Sequence, residues 1–240
     1  MNVDIAIFKI GGHIFGNREY LNSTISQLTS LYERNILKKI IIIAGGGSSA
    51  NLVRKLDKKF DLSNTISHLM AIYTMDLNGI EISNYFPKLI KTDNLNEIIT
   101  ASKIFTVFLP FAYLSESDEL PHSWDVTSDS IALFLAYKLK MENCFLLKNV
   151  DGIILKNNKV VKNLTTKDFI RMNESGELAN LNLDDEKKYS RPIDPYLIKL
   201  IDKYKIPCII LNGSSSSLRI LKYFKISEDQ KKIYTKIKFS

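Results

Sequence analysis

The chain has 240 residues, of which 45% are hydrophobic and 25% charged, and a formal net charge of +7. This length suffices for one large α/β domain or two small lobes, and the composition is ordinary for a globular protein. No apolar run approaches the roughly 20 residues that span a bilayer, and the first residues are typical of a strand and not of a signal peptide. We therefore expect a cytoplasmic protein with no membrane partner.

The positive charge is compatible with a nucleic acid, an acidic membrane or a polyanionic small substrate. The lysines are spread along the chain and no nucleic-acid motif accompanies them. We therefore expect an anionic small substrate and no nucleic-acid partner. Cys144 and Cys208 lie within predicted strands, which favours two small buried side chains over a disulfide or a metal pair.

The first predicted strand, residues 3–10, ends at a cation. Only Ile10 separates Lys9 from Gly11 and Gly12, so a glycine turn follows the strand with a positive charge beside it. A lysine that points into water at a strand end is the alternative interpretation. Apolar residues at helical spacing then predict a helix over residues 20–35.

The second predicted strand ends in a glycine triplet. Four isoleucines from Ile40 predict a buried strand, residues 45–47 a turn, and Ser48 onward a helix through Leu56. Glycines let backbone N–H groups approach an oxyanion, and a helix N-terminus adds attraction. We interpret this stretch as a phosphate cradle; a tight turn without a ligand is the alternative. Because ligands bind at the carboxyl ends of parallel strands, Lys9 is expected beside it.

The middle of the chain contains its most unusual run, residues 122–131. The only tryptophan, a histidine, two aspartates and four hydroxyl side chains precede an apolar helix. Capping that helix requires one of them, so the others indicate a functional site, where Asp129 could orient Lys9 through charge-assisted hydrogen bonds. The remaining predictions for this region are a helix over residues 67–84, a strand over 105–113 and a polar loop over 115–121.

The second half of the chain is expected to alternate strands and helices. Residues 163–189 are polar, and a flexible flap and a solvated helix pair both remain open for them. The other predicted elements are a strand over 143–148, a turn over 149–152, a hairpin over 153–161, a helix over 195–204, and strands over 207–211 and 233–239.

Four motifs follow one another along the chain: Lys9-x-Gly-Gly, Gly-Gly-Gly, Thr-Ser-Asp-Ser-Ile-Ala and Val-Asp-Gly-Ile. This ordered set resembles the amino-acid kinase superfamily. Within it, the sequence is most similar to the [5-(aminomethyl)furan-3-yl]methyl phosphate kinases of methanofuran biosynthesis, through residues 45–79, 122–136, 149–153 and 233–237. The resemblance implies a three-layer α/β/α sandwich with a mainly parallel central sheet, as in carbamate kinase-like folds. It also implies a single domain, 1–240, with an acceptor-binding lobe of about 1–140 and a nucleotide-binding lobe of about 141–240.

The activity that this resemblance implies is ATP-dependent transfer of the γ-phosphoryl group to a small phosphate monoester, giving a diphosphate. Mg²⁺ would accompany ATP, and the enzyme would be a homodimer. A phosphate oxygen is already ionised near pH 7, so its attack needs alignment and charge neutralisation but no general base. Uridylate, isopentenyl phosphate and carboxylate kinases of the same fold are alternatives, as is a nucleotide- or oxyanion-binding protein without catalytic activity.

The resemblance also assigns roles to individual residues. Lys9 and Asp129 would be catalytic, Lys9 by contacting the transferred phosphoryl group and Asp129 by orienting lysine and water. Arg54 lies seven residues, or two helical turns, beyond Gly47, which makes it a candidate for the acceptor's phosphate or its neighbourhood; a solvated helix residue is the alternative. The residues expected to bind phosphate are Gly11, Gly12, Gly45, Gly46 and Gly47, and those expected to bind the nucleotide are Lys148, Asn149, Val150, Asp151 and Gly152. His68 and His122 are expected to bind the acceptor. For His68, a partly buried histidine with a hydrogen bond is the alternative. No residue is assigned to a protein-bound metal.

The sequence departs from the family pattern at three places. His13 stands where a small serine is usual, and Lys148-Asn149 stands where many relatives have a small residue and an aspartate. A Gly-Gly-Met-x-x-Lys segment supplies a second lysine in many relatives, and residues 188–196 occupy its place here. Lys148 or Arg191 could supply the missing charge, or transfer would be slower or lost.

Overall fold

The computed structural model of the protein describes residues 4–179, 193–214 and 216–240. Ten strands form within these ranges. They are β1 (Ile5–Ile10), β2 (Lys39–Ala44), β3 (Ile90–Thr92), β4 (Ile104–Phe108), β5 (Cys144–Lys148), β6 (Ile153–Ile154), β7 (Val160–Val161), β8 (Asn163–Thr165), β9 (Cys208–Asn212) and β10 (Thr235–Lys238).

Helices connect most of these strands. They are α1 (Gly12–Phe15), α2 (Arg18–Glu33), α3 (Gly47–Phe60), α4 (Asn64–Tyr85), α5 (Leu95–Thr100), α6 (Phe111–Ser117), α7 (Ser128–Lys138), α8 (Thr166–Glu174), α9 (Pro195–Tyr204) and α10 (Arg219–Lys225), with a short 3₁₀ turn at Asp229–Lys231. Among the described residues, no helix is both long enough and apolar enough to cross a membrane.

Eight strands form one sheet in the order β3-β4-β2-β1-β5-β9-β10-β8, and β6 and β7 form a separate antiparallel hairpin. Every neighbouring pair in the large sheet is parallel except β9 and β10. β10 therefore lies between β9, which it meets antiparallel, and β8, which it meets parallel. Six neighbouring parallel strands all end at one edge of the sheet, where ligands of such sheets bind. They are β3, β4, β2, β1, β5 and β9.

Alternating side chains along the strands build a core on each face of the sheet. Ile7 and Ile41 pack with α7 and α9 on one face, while Phe8 and Ile42 pack with α2 and α10 on the other. Residues 40–43 are completely buried, and each buried isoleucine side chain stabilises the fold by roughly 1.5–3 kcal/mol. The predicted three-layer α/β/α sandwich with a mainly parallel central sheet is thus confirmed.

Several predicted elements agree with the structure. α9 has the predicted bounds, the hairpin over 153–161 forms as β6 and β7, and the strand after Lys38 is β2. Cys144 and Cys208 face each other in β5 and β9, both buried as free thiols, as their strand positions predict.

The predictions for residues 105–113 and 115–121 were wrong in part. β4 ends at Phe108, and α6 runs from Phe111 to Ser117. Pro110 has φ −79° and ψ −12°, a backbone conformation that starts a helix as readily as it ends a strand. The aromatic residues after it, Phe111 and Tyr113, are typical of a strand, so composition alone predicts the wrong element there. The polar segment 163–189 begins as β8 and α8, and its residues 180–189 lie outside the described ranges.

Candidate active site

Lys9 and Asp129 are in contact at the carboxyl edge of the sheet. Lys9 Nζ lies 2.9 Å from Asp129 Oδ1, and the two side chains are only 6% and 4% exposed. Lys9 is the penultimate residue of β1 and shares a face with Ile7, beneath α7, whose second residue is Asp129. The structure therefore brings together the two residues that were predicted to be catalytic.

Lys148, the last residue of β5, contacts the same carboxylate. Its Nζ donates to Asp129 Oδ2 at 2.7 Å. β1 and β5 are adjacent, with Lys9 opposite Leu146, so the two lysines reach Asp129 from neighbouring strands. Asp129 thus holds two ammonium groups side by side. Arg191, the other residue considered for a second charge, lies outside the described residues.

Burial and the neighbouring charges set the protonation of this cluster. Burial lowers the pKa of Lys9 to about 8, although the Asp129 charge opposes the fall and the Lys148 charge adds to it. Burial acts to raise the pKa of Asp129, but the charges of Lys148 and Lys9 outweigh it and hold this pKa at about 2. Near pH 7, Asp129 is therefore ionised and Lys9 is mostly protonated.

Asp194 fixes the start of α7 and with it the position of Asp129. This buried carboxylate accepts hydrogen bonds from the backbone N–H groups and hydroxyls of Thr127 and Ser130, at 2.6–3.3 Å. It also accepts from the Leu197 N–H at 2.6 Å and so caps α9. Burial raises the pKa of Asp194, and the nearby Asp129 charge adds to the effect. One side chain thus ties two helices together behind the lysine pair.

The two glycine turns meet beside Lys9. A Cβ on Gly12 would lie 2.7 Å from the Cα of Gly47, whose φ is +55°, and a Cβ on Gly46 would lie 2.7 Å from Thr74 Oγ1. Side chains are therefore excluded from these positions, and the backbone itself forms the surface. Gly46 and Gly47 stand at the start of α3, where N–H groups have no intrahelical partner and attract anions.

The amides of Gly11 and Gly45 differ from the prediction. The Gly11 N–H donates to the Leu147 carbonyl and the Gly45 N–H to the Ile10 carbonyl, both at 2.9 Å. These bonds extend the sheet by one residue past each strand. Because the sheet already uses these two N–H groups, Gly11 and Gly45 are weaker candidates for phosphate binding, and their role stays a prediction. Gly12, Gly46 and Gly47 keep their predicted role as candidates.

A cavity of about 480 Å³ opens next to the glycine turns. Polar groups contribute to its lining, among them Lys9, Ser128 and His13, which differs from the family pattern. Apolar side chains, here called the apolar wall, also line the cavity and could contact a carbon skeleton beside the anion-binding groups. This wall consists of Ile72, Met75, Val126 and Ile131.

Two of the three predicted acceptor-binding residues line this cavity. Arg54 projects from α3, with its guanidinium carbon 4.7 Å from the centre of the Trp124 ring. His68 on α4 also lines the cavity, and His122 stacks on it with ring centres 4.9 Å apart. Burial, assisted by the His122 ring, lowers the pKa of His68 to about 4, so this imidazole is neutral near pH 7. The structure thus places His122 behind His68 and not in the cavity wall.

His122 is held on both sides. Its Nδ1 lies 2.9 Å from the Thr65 hydroxyl oxygen and its Nε2 lies 2.8 Å from an Asp118 carboxylate oxygen. These contacts fix the orientation of the ring, and through stacking they fix His68. In the described ranges neither ring nitrogen of His68 takes part in a hydrogen bond. A ligand in the cavity can therefore reach a neutral imidazole that the protein itself leaves unpaired.

The predicted nucleotide-binding residues lie in the turn after β5, outside the cavity lining. Asp151 accepts from Arg219 Nε and Nη2 at 3.1 Å each and from Asn212 Nδ2 at 3.2 Å. Gly152 has φ +145°, and a Cβ there would lie 2.2 Å from Thr235 Oγ1, so only glycine fits. Asn149 and Val150 complete the same turn and are half-buried. Lys148 directly precedes this turn and contacts Asp129, which in turn contacts the cavity-lining Lys9.

Sequence reasoning missed several residues of the site. Asp194 lies 64 residues from Ser130, and Asp57 lies 67 residues from Trp124, its hydrogen-bond donor. Asn78 donates from Nδ2 to the Gly45 carbonyl at 2.7 Å and so supports the glycine turn from α4. No motif connects such partners along the chain, because only the fold brings them together.

A family model described as the amino acid kinase family matches residues 4–212. The chain belongs to the amino acid kinase family. As a member it is an ATP-dependent kinase, and two glycine turns beside a pair of buried lysines agree with that activity.

Named relatives of this amino acid kinase include two curated archaeal enzymes. The [5-(aminomethyl)furan-3-yl]methyl phosphate kinase of Methanocaldococcus jannaschii is 32% identical over 234 residues, 96% of each chain. The uridylate kinase of Methanococcus aeolicus is 22% identical over 232 residues, 88% of this chain and 92% of the relative. The crystal structure of uridylate kinase from Archaeoglobus fulgidus superposes with a TM-score of 0.66 at 16% identity, covering 99% of this chain and 100% of that one. This last likeness establishes the shared fold.

Proposed function

We propose that this kinase transfers the γ-phosphoryl group of ATP to a small phosphate monoester, giving a diphosphate, and that the acceptor is [5-(aminomethyl)furan-3-yl]methyl phosphate or a close analogue. The relative at 32% identity, whose name states this acceptor, supports the choice. The observation that carries the proposal is the pair of ammonium groups, Lys9 and Lys148, held on Asp129 at the edge of the glycine cradle.

Two adjacent cations suit a reaction in which two phosphate groups meet. Bringing an acceptor dianion to a triphosphate requires neutralisation of charge and alignment of the attacking oxygen. Lys9 faces the cavity and would contact the transferred group. Lys148 stands next to residues 149–152, the turn proposed to bind the nucleotide and here called the nucleotide turn. Asp129 holds both ammonium groups in place and remains ionised throughout. Preorganised groups of this kind are each worth on the order of a few kcal/mol in the transition state.

The second lysine also bears on the alternative of a protein without catalytic activity. That alternative was motivated by the missing Gly-Gly-Met-x-x-Lys segment. Lys148 comes from the end of β5 and reaches Asp129 at 2.7 Å, so a second positive charge is present without that segment. We infer that Lys148 takes the role of the missing lysine, which favours an active kinase.

Magnesium is part of the proposal as the ion that accompanies ATP, and when bound it supplies further neutralisation of phosphate charge. Within the described ranges, no group of three or more His, Cys, Asp or Glu side chains is placed to hold a metal ion. The residues therefore fit an ion held mainly by the nucleotide phosphates.

The acceptor and the nucleotide are proposed to occupy different sides of the site. The described cavity-lining residues all lie between Lys9 and Ile131, within the proposed acceptor-binding lobe. The turn with Asp151 and Gly152 belongs to the proposed nucleotide-binding lobe. The apolar wall gives the ring of the proposed acceptor a surface to pack against, while the choice of the aminomethylfuran phosphate over UMP rests on the relative at 32% identity. The need for ATP also agrees with a cytoplasmic location.

The proposal is tested by ADP release from Mg-ATP against a panel of acceptors. The panel contains the aminomethylfuran phosphate, UMP, isopentenyl phosphate and acetylglutamate, with Lys9→Ala as the control. We expect ADP release with the aminomethylfuran phosphate that the control abolishes, and formation of a diphosphate product. Release with UMP alone would replace the proposed acceptor by a nucleotide. If no acceptor gave ADP release although ATP binds, the proposed reaction would be contradicted.

A homodimer is part of the same proposal, supported by an apolar stripe on α4. The stripe recurs at helical spacing and stays 36–50% exposed, which is unusual for large apolar side chains arranged on one face. Its members are Ile66, Met70, Tyr73 and Leu77. Two copies that pair α4 with α4 would cover it symmetrically.

Light scattering after size exclusion measures this association. We expect a dimer for the natural sequence and a monomer for Leu77→Glu, because a buried carboxylate at the pair of helices is costly. Ile170→Glu on α8 is the matched control: Ile170 is 44% exposed, against 48% for Leu77, and lies off the stripe. A natural protein that elutes as a monomer, or a control that also dissociates, would contradict pairing through α4.

A further inference from the structure

Trp124, the only tryptophan of the chain, is fixed from two directions. Its indole Nε1 donates to Asp57 Oδ2 at 2.6 Å. The Arg54 guanidinium carbon lies 4.7 Å from the centre of its ring, within the range of a cation–π contact. Arg54 and Asp57 are three residues apart on α3 and therefore share a helix face. The indole lies against this face and links the two residues.

The contact leaves the charge of Arg54 available. In the part of the chain that the structure describes, Arg54 makes no ion pair and no hydrogen bond, and its guanidinium lies against the Trp124 ring. The adjacent carboxylate, Asp57, accepts from the indole. Arg54 and Trp124 both line the cavity. A guanidinium that keeps its donors unpaired at a cavity suits a phosphate group, which it can bind through two parallel hydrogen bonds.

We propose that Trp124 and Asp57 are positioning residues that hold the Arg54 guanidinium at the cavity, where it binds the phosphate group of the acceptor. The inference rests on the proposed function, since it takes a phosphate monoester as the acceptor. Arg54 is exposed on a helix surface and would otherwise sample many rotamers. Stacking on a fixed indole orders the side chain before the ligand arrives, which lowers the entropic cost of binding.

The position of Trp124 gives a direct test with inorganic phosphate as the probe. Because this residue is the only tryptophan, the intrinsic fluorescence of the natural protein reports on the cavity. We expect a saturable change in emission on titration with phosphate, and its loss in Arg54→Gln. Lys55→Gln is the matched control, since it removes one positive charge from the next residue of α3 outside the cavity lining. An unchanged response in Arg54→Gln would overturn the inference.

Kinetics separate positioning from a merely structural role. We expect Trp124→Leu and Asp57→Leu to raise the KM for the acceptor about fivefold with kcat within about twofold, as loss of one cation–π contact or one hydrogen bond predicts. Trp124→Phe keeps a ring beneath Arg54 and Asp57→Asn keeps an oxygen that accepts from the indole, so both are expected to restore much of the affinity. The inference would be overturned if the acceptor KM of all four variants equalled that of the natural enzyme, or if the variants lowered kcat without changing this KM.

Failure of the inference and failure of the proposed function are distinguishable. If the acceptor panel gives ADP but Arg54→Gln and Lys55→Gln have the same acceptor KM, the kinase proposal stands and the role of Arg54 is refuted. If no acceptor gives ADP but phosphate still binds in an Arg54-dependent way, the proposed activity fails while the anion site held by Trp124 is supported.

Discussion

Replacement of Lys9 by alanine is expected to lower kcat about a thousandfold, because loss of one preorganised charge at the reacting group costs about 10²–10³ in rate. Lys9 is buried on a strand and lines the cavity, whereas Lys148 contacts Asp129 from the neighbouring strand and does not line the cavity. The binding of ATP is expected to change less, since the glycine turns and the nucleotide turn remain. Steady-state ADP release measures the first effect and calorimetric titration with ATP the second.

The pKa of Lys9 adds a pH dependence to this prediction. Because burial lowers this pKa to about 8, the ammonium is lost as pH rises through 8, and kcat/KM should fall on the alkaline side. Arginine keeps its charge over this range, so Lys9→Arg, although slower, should show no alkaline limb near pH 8. Lys91→Ala on β3, which removes an exposed lysine outside the cavity lining, is the control and should keep the natural profile. A kcat/KM that stays level to pH 9.5 in the natural enzyme, a value well above the pKa of about 8, would contradict the assignment.

Replacement of Asp129 by asparagine is expected to lower the free energy of unfolding by about 3 kcal/mol, because removing one partner of a buried ion pair leaves uncompensated charge. Here two ammonium groups lose their counter-charge at once, and the new amide N–H₂ group would face a lysine that can only donate. Kinase activity should be lost as well, since neither lysine is then held in place.

Urea denaturation at pH 7 measures the change in stability. Asp125→Asn is the matched control, because Asp125 lies four residues earlier in the same segment and is exposed. Equal unfolding midpoints for Asp129→Asn and Asp125→Asn would show that the lysine pair does not depend on Asp129, and the proposed cluster would have to be abandoned.

The sequence predicted those parts of the fold and the site that repeat along the chain or stand next to each other in it. The isoleucine run of β2 has a composition that only a buried strand satisfies, and the strand ends follow from the glycines after Lys9 and Ala44. Lys9 and Asp129 were found because each belongs to a motif. Their contact followed from the rule that parallel strands place ligand-binding residues at one edge.

What could not be predicted depends on tertiary contacts or on very short elements. β3, with three residues, and α5, with six, are too short for a periodic pattern. The pairing of the Gly11 and Gly45 N–H groups within the sheet is another example, because the sequence does not show that the sheet continues past both strands. Asp194 and Trp124 act on partners more than sixty residues away, and their roles exist only in the folded chain.

The position of β10 between β9 and β8 has a consequence for the order in which the protein is made. β8 is synthesised well before β10, yet β10 is its only partner in the described sheet. On the ribosome, Asn163–Thr165 must therefore wait without backbone partners until Thr235–Lys238 have been translated. Strands β1, β2 and β4 and helices α3 and α4 precede this segment and can associate earlier, because their contacts with one another need no later part of the chain. The described residues that line the cavity, from Lys9 to Ile131, are thus all translated before β8 can pair with β10.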